Sequence, residues 1–162
     1  MRVRDLMTQA VVPCRSETNL AAVAALMWEY DCGAIPVVTD RGKVIGVVTD
    51  RDICIALGTR DKPASSITAG ELTSKLPLTC QPDDEIRGAR KAMCAGRIRR
   101  LPVVDSAGKL CGILSMNDLV LWAQHCDGAK RPCVSYEDVV NTMVVIGLHE
   151  AGRADKMLRS AF

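Results

Sequence analysis

The sequence predicts an α/β (α+β) protein built from two copies of one β-α-β-β-α unit and closed by a C-terminal helix. Two observations carry this prediction: an internal repeat, and inside each copy a switch between strand-type and helix-type spacing of apolar residues. Pro36-Val37-Val38 recurs as Pro102-Val103-Val104, and the same displacement, without a gap, puts Leu6 on Leu72, Cys14 on Cys80, Met27 on Met93, Gly46 on Gly112 and Asp52 on Asp118. Asp5 falls on Glu71, Thr8 on Ser74, Thr49 on Ser115 and Ile53 on Leu119, so chemical character is kept where identity is not. The copies run over roughly residues 3–58 and 69–124 and are joined by the polar stretch Gly58–Gly70. The expected domains are therefore 1–66, 67–126 and a tail over 127–162.

Ala10–Cys14 reads as a short strand. Ser16 precedes a helix in which Leu20, Val23, Ala24 and Met27 follow the i, i+3, i+4, i+7 spacing of one buried face. Ile35–Val38 and Lys43–Val48 are β-rich runs on either side of Thr39-Asp40-Arg41-Gly42, a polar turn whose glycine supplies positive φ, and they pair as a hairpin. The second copy repeats the hairpin around Asp105-Ser106-Ala107-Gly108, and a second helix begins at Asp50 in one copy and at Met116 in the other. A unit this small leaves much apolar surface uncovered, so the duplication predicts two copies sharing a core about a pseudo-twofold axis.

Composition narrows the function. The 162 residues are 48% hydrophobic and 25% charged, an ordinary globular balance, and the net charge is +2. Neither a nucleic-acid partner nor a membrane is expected from that charge, and an aromatic content of 3% leaves no stacking platform for single strands. Met1-Arg2-Val3-Arg4-Asp5 meets an acid before any apolar run, and no segment approaches about 20 uninterrupted apolar residues, so a cytoplasmic protein is expected. The eight cysteines include Cys14, Cys32, Cys54, Cys80, Cys94 and Cys111 inside apolar segments without a C-x-x-C pair, which predicts buried free thiols and no metal site.

Each strand-to-helix turn carries a hydroxyl and a carboxylate three residues apart, Thr49 with Asp52 and Ser115 with Asp118. This spacing makes a capping box, in which the hydroxyl accepts from the N3 backbone N–H and the acid reaches back to the N-cap. It also suits a helix N-terminus facing a polar ligand, with the carboxylate accepting two hydrogen bonds from a ribose diol. The two roles can coexist.

These residues resemble a tandem pair of cystathionine-β-synthase (CBS) domains, the Bateman module. The shared pattern is a hydrophobic-Pro-Val-Val strand, a Gly-bearing hairpin, then Gly, two hydrophobics, Thr or Ser, two residues and Asp; both copies carry it, and Asp5-Leu6-Met7-Thr8 resembles the segment that opens such domains. The resemblance implies a regulatory module, commonly homodimeric, that binds an adenosyl compound (AMP, ADP, ATP or S-adenosylmethionine) in clefts between its repeats and signals to a partner protein. It implies no catalytic cofactor. Each cleft of such modules takes its hydroxyl and acid from one repeat and its phosphate contacts from the residues before the Pro-Val strand of the other. Here that pairs Thr49, Asp52 and Arg51 with Arg99 and Arg100, whose guanidiniums suit forked recognition of phosphate. The site of Ser115 and Asp118 meets Gly33 and Ala34 instead, and is expected to be weaker or free of phosphate. By position Thr8 to Val12 flank adenine beside Asp118, and Ser74 to Leu78 beside Asp52. Pro13, where the other copy has Thr79, lacks a backbone N–H and again disfavours the Asp118 site. A solvated basic edge at the end of a helix is the structural alternative for Arg97, Arg99 and Arg100, and a ligand-free dimerisation scaffold is the alternative for the whole module.

In the tail, Ser135 and Asp138 have capping-box spacing ahead of Val139, Met143 and Ile146, which predicts a helix that packs back on the module or joins a dimer contact. His125 and His149 lie outside the repeated turns, and the sequence has no H-E-x-x-H, G-x-G-x-x-G or Walker loop, so an enzyme is not expected.

Overall fold

The computed structural model describes residues 1–73, 76–125 and 134–147. They gather into two compact units: one holds Met1–Gln9, Leu78–Val103 and the described chain from Gly112 onward, and the other holds Ala10–Pro77 with Val104–Cys111.

In the first repeat β1 (Cys14–Arg15), α1 (Leu20–Glu29), β2 (Ala34–Val38), β3 (Val44–Thr49) and α2 (Asp50–Arg60) follow in order. Strand β2 is central: it runs parallel to β1, with Cys14 opposite Val37, and antiparallel to β3, with Ile35 opposite Val48. All five of its residues are buried, whereas β3 alternates between buried and half-buried positions, as a strand with one covered face must. In the second repeat α3 (Ile86–Gly96), β4 (Arg100–Val104), β5 (Leu110–Ser115) and α4 (Met116–His125) repeat the order, and the counterpart of β1 contracts to a single parallel bridge, Cys80 to Val103. Leu20, Val23, Ile35, Val37, Val48 and Ile67 form one core; Val3, Met93, Leu101, Val103, Leu114 and Leu119 form the other.

The expected strand over Ala10–Cys14 is shorter than its apolar run, because among the described residues only Cys14 and Arg15 of this segment find a strand partner and Pro13 has no N–H to offer. Helix α1 begins at Leu20 with Asn19 as its cap, the Asn19 carboxamide accepting from the Ala22 N–H at 2.9 Å, while the Ser16 carbonyl accepts from Gly70 at 2.8 Å. Leu20, Val23 and Met27 are buried, but Ala24 is exposed: the stripe broadens toward Leu26, on the other side of the helix. The thiols divide. Cys14 and Cys80 are buried and their pKa values are pushed up to about 11 and about 12 by burial, Cys32, Cys94 and Cys111 are half-buried, and Cys54 stands exposed on α2. Among the described residues no helix is long and apolar enough to cross a membrane.

The two hairpin tips pair with each other inside one unit. The Val44 N–H donates to the Gly108 carbonyl at 3.0 Å and the Leu110 N–H to the Gly42 carbonyl at 3.1 Å, with Lys43 opposite Lys109 and Val38, Val44 and Val104 packed beneath. Gly42 and Gly108 both have φ near +78°, and the aliphatic stem of each opposing lysine lies across the glycine.

A C-terminal helix, α5, spans 136–147. Ser135 and Asp138 close the expected capping box, the Ser135 N–H donating to Asp138 Oδ2 at 3.0 Å. Val139 and Ile146 enter the core, but Met143 is 55% exposed and Thr142 takes its expected place, since the buried line runs 139, 142, 146. Arg90 of α3 holds this face: its Nη1 pairs with Asp138 Oδ1 at 2.8 Å, its Nη2 donates to the Asp138 carbonyl at 2.9 Å and its Nε to Thr142 Oγ1 at 3.2 Å. The Ser135 backbone N–H, the Ser135 hydroxyl and the Arg90 guanidinium hold the Asp138 carboxyl below the usual range against a partial desolvation.

Two outcomes follow. Gly108→Ala places a side chain in the left-handed region and should lower stability by about 1–2 kcal/mol in urea denaturation; an unchanged midpoint would contradict the tip pairing. A carboxyl with a depressed folded pKa contributes stability that is complete above its unfolded value, about 3.9, and is lost as pH falls through the lower folded value. Amide exchange in α5 should therefore quicken as pH falls below about 4 while that of β2 and β3 changes little, and Arg90→Met, which also removes the bonds to Thr142 and the Asp138 carbonyl, should produce a larger change at neutral pH.

Candidate functional site

The two strand-to-helix turns are built alike. Thr49 caps α2; the backbone N–H of Thr49 donates to Asp52 Oδ2 at 2.9 Å, its hydroxyl donates to the same oxygen at 2.7 Å, and the Asp52 N–H donates back to Thr49 Oγ1 at 3.2 Å. At the start of α4 the Ser115 N–H and hydroxyl both donate to Asp118 Oδ2 at 2.7 Å, and the Asp118 N–H donates back to Ser115 Oγ at 3.3 Å. The capping-box reading of both motifs is thus realised. In each case one carboxylate oxygen takes both bonds, and Oδ1 of Asp52 and of Asp118 accepts none among the described residues. Both acids are half-buried, so an acceptor stays available at the N-terminus of a helix, where backbone N–H groups and the helix dipole favour a polar or anionic group.

The residue before each Pro-Val strand lies against the helix start of its own repeat: the Asp50 N–H donates to the Gly33 carbonyl at 3.4 Å and the Met116 N–H to the Arg99 carbonyl at 2.9 Å. Arg99 is exposed and Arg100, the first residue of β4, is half-buried; neither has an ion pair or side-chain hydrogen bond among the described residues. Thr49, Arg51, Asp52 and Val12 belong to one compact unit, and Thr8, Leu78, Arg99, Arg100, Ser115 and Asp118 to the other. Val12 is half-buried, and Arg51 is exposed on the first turn of α2.

Two glycines decide where the entry segments run, a role that the sequence reading missed. Thr8 crosses β5 at Gly112: Thr8 and Ile113 exchange both backbone hydrogen bonds at 2.9 Å, and a Cβ on Gly112 would lie 2.6 Å from the Thr8 carbonyl oxygen. Thr73 crosses β3 at the equivalent Gly46, where a Cβ would lie 2.2 Å from Thr73 Cγ2. Each entry segment therefore rests on a strand of the other repeat, and Ile113, which pairs with Thr8, lies two residues before Ser115 of the hydroxyl–carboxylate box. The signal was present, since Gly46 falls on Gly112 in the repeat, but nothing local says what a strand glycine is making room for. Leu78 packs over Gly96 at the end of α3 and is 48% exposed. Among the described residues no group of three or more His, Cys, Asp or Glu side chains could hold a metal ion.

Duplicated β-α-β-β-α units with a hydroxyl–carboxylate box at the second helix define a CBS-domain pair, and residues 3–59 and 69–125 each match the CBS domain family. The chain belongs to that family. It is 33% identical over 143 residues to the CBS domain-containing protein YhcV of Bacillus subtilis, an alignment covering 85% of this chain and 97% of that protein. It is 35% identical over 98 residues to the uncharacterized protein MK0525 of Methanopyrus kandleri, covering 60% of this chain and spanning about half, 50%, of that relative's length. Among solved structures, the CBS domain protein PAE2072 of Pyrobaculum aerophilum, complexed with AMP, is similar at a TM-score of 0.67 and 25% identity, covering 74% of this chain and 90% of that one. CBSX2 in complex with AMP is similar at 0.66 and 27%, covering 76% and 96%.

Gly112→Ala should cost about 1–3 kcal/mol, because the atom it would strike is backbone and cannot rotate away. Gly88→Ala in α3, which meets nothing within 4 Å, should be neutral or slightly stabilising by comparison. Equal midpoints for the two variants in thermal denaturation would remove the crossing argument.

Proposed function

We propose that this chain is a regulatory module that binds an adenosyl ligand and reports its occupancy to a partner protein, acting as a homodimer. The observation that carries the reading is the spare carboxylate oxygen: Asp52 and Asp118 each satisfy a capping box with Oδ2 and keep Oδ1 for a ligand's hydroxyls. The AMP complexes of PAE2072 and CBSX2 support the ligand class. In the stronger site Asp52 accepts from the ribose diol, Thr49 holds that carboxylate in place, and Arg99 and Arg100, with Arg51, neutralise phosphate. Leu78 flanks the adenine. The second site uses Ser115 and Asp118, with Thr8 and Val12 along the base, and binds more weakly or takes a ligand without phosphate. Binding stabilises whichever arrangement of the module it prefers, and the partner reads that shift.

A second reading rests on the same boxes. Each closes on itself and caps its helix without help, so the module can serve as a ligand-free dimerisation scaffold.

Calorimetric titration with AMP, ADP, ATP, S-adenosylmethionine and adenosine separates the two. Asp52→Ala should weaken AMP and adenosine alike by about 10–100-fold, the worth of hydrogen bonds to a charged acceptor. Arg100→Gln should weaken AMP by about tenfold and leave adenosine nearly unchanged. Heat with none of these ligands at millimolar concentration favours the scaffold. Loss of AMP binding in Asp118→Ala but not in Asp52→Ala would reassign the arginines to the other box.

A further inference from the structure

A groove of about 700 Å³ runs between α3 and α5, separate from both hydroxyl–carboxylate boxes. Along α3 it is lined by the exposed Arg87 and Lys91, one turn apart, then by Cys94 and Ala95; Asp138, paired with Arg90, and Val145 of α5 line it from the other side. The third cation, Arg90, is already neutralised by Asp138 and by its bonds to α5. Arg87 and Lys91 are different. Neither has an ion pair or side-chain hydrogen bond among the described residues, and two like charges at i and i+4 repel each other along the helix.

We propose that this groove binds a small amphipathic organic anion, its charged head between Arg87 and Lys91 and its alkyl chain against Ala95, Cys94 and Val145. An anion between the two cations is attracted to both and offsets their mutual repulsion. The apolar end of the same groove gains from covering Val145, which is 40% exposed, and the half-buried Cys94. Inorganic phosphate would use only the basic end and an alcohol only the apolar end, so both parts are needed in one molecule. Because α5 supplies one wall and is held by Arg90, occupancy also secures that helix to α3.

Cys94 is a built-in reporter and the exposed Cys54 its internal control. The full chain is alkylated with iodoacetamide, and the labelling rate of each cysteine is followed by peptide mass, with octanoate, octyl phosphate, inorganic phosphate or octanol present. At ten times their dissociation constant octanoate and octyl phosphate should slow Cys94 about tenfold and leave Cys54 unchanged. The double variant Arg87→Gln/Lys91→Gln, which alters only groove-lining side chains that hold no other element in place, should lose that protection, whereas Asp52→Ala should keep it. Equal protection by inorganic phosphate or by octanol, no protection by any probe, or protection that survives in the double variant would each overturn the proposal. Because Asp52→Ala weakens adenosyl binding on the reading above and leaves the groove unaltered, failure of one leaves the other standing.

Discussion

A carboxylate on the third residue of a helix, folded back onto the residue before that helix, organises each half of this protein. Thr49 with Asp52 and Ser115 with Asp118 end a strand, start a helix and satisfy backbone donors that would otherwise be orphaned at the turn. The same bonds hold the acid in one rotamer with an oxygen to spare. Local folding thus leaves one acceptor oxygen of each acid unused among the described residues, which is what lets a short structural motif be proposed as a site.

The second organising constraint is steric. Gly46 and Gly112 leave a gap in β3 and β5, and each gap is crossed by the entry segment of the other repeat, Thr73 at one and Thr8 at the other. The compact units consequently do not follow the repeat: the first nine residues pack with the second copy, where Val3 is fully buried, and the tip of the second hairpin packs with the first. Within each unit, then, the strand that leads to a hydroxyl–carboxylate box is completed by a segment of the other repeat.

The copies diverge where specificity would reside. Gly33 and Ala34 in one repeat correspond to Arg99 and Arg100 in the other, while the backbone bond from the following helix to this position is kept in both. Duplication preserved the scaffold and changed the charge. The tail adds a further asymmetry: α5, which lies outside the repeat, is anchored by Arg90 and Asp138 on the face of α3, and among the described residues the first repeat has no counterpart to it.

The sequence by itself determined the repeat, the order of strands and helices, both hydroxyl–carboxylate boxes and the capped C-terminal helix, because periodicity, turn chemistry and capping are local and act within a few residues. It was less informative where burial depends on a neighbour. Ala24 and Met143 both sit on the expected apolar stripe and both emerge exposed, since the covering element lies on the other flank, toward Leu26 in α1 and toward Thr142 in α5. Nor could spacing reveal that Ala10 to Pro13 find no strand partner among the described residues, that Arg90 would hold α5, or that two glycines admit a crossing chain. Those features were decided by the tertiary structure alone, because each is a meeting of segments far apart in the chain whose separate patterns carry no record of one another.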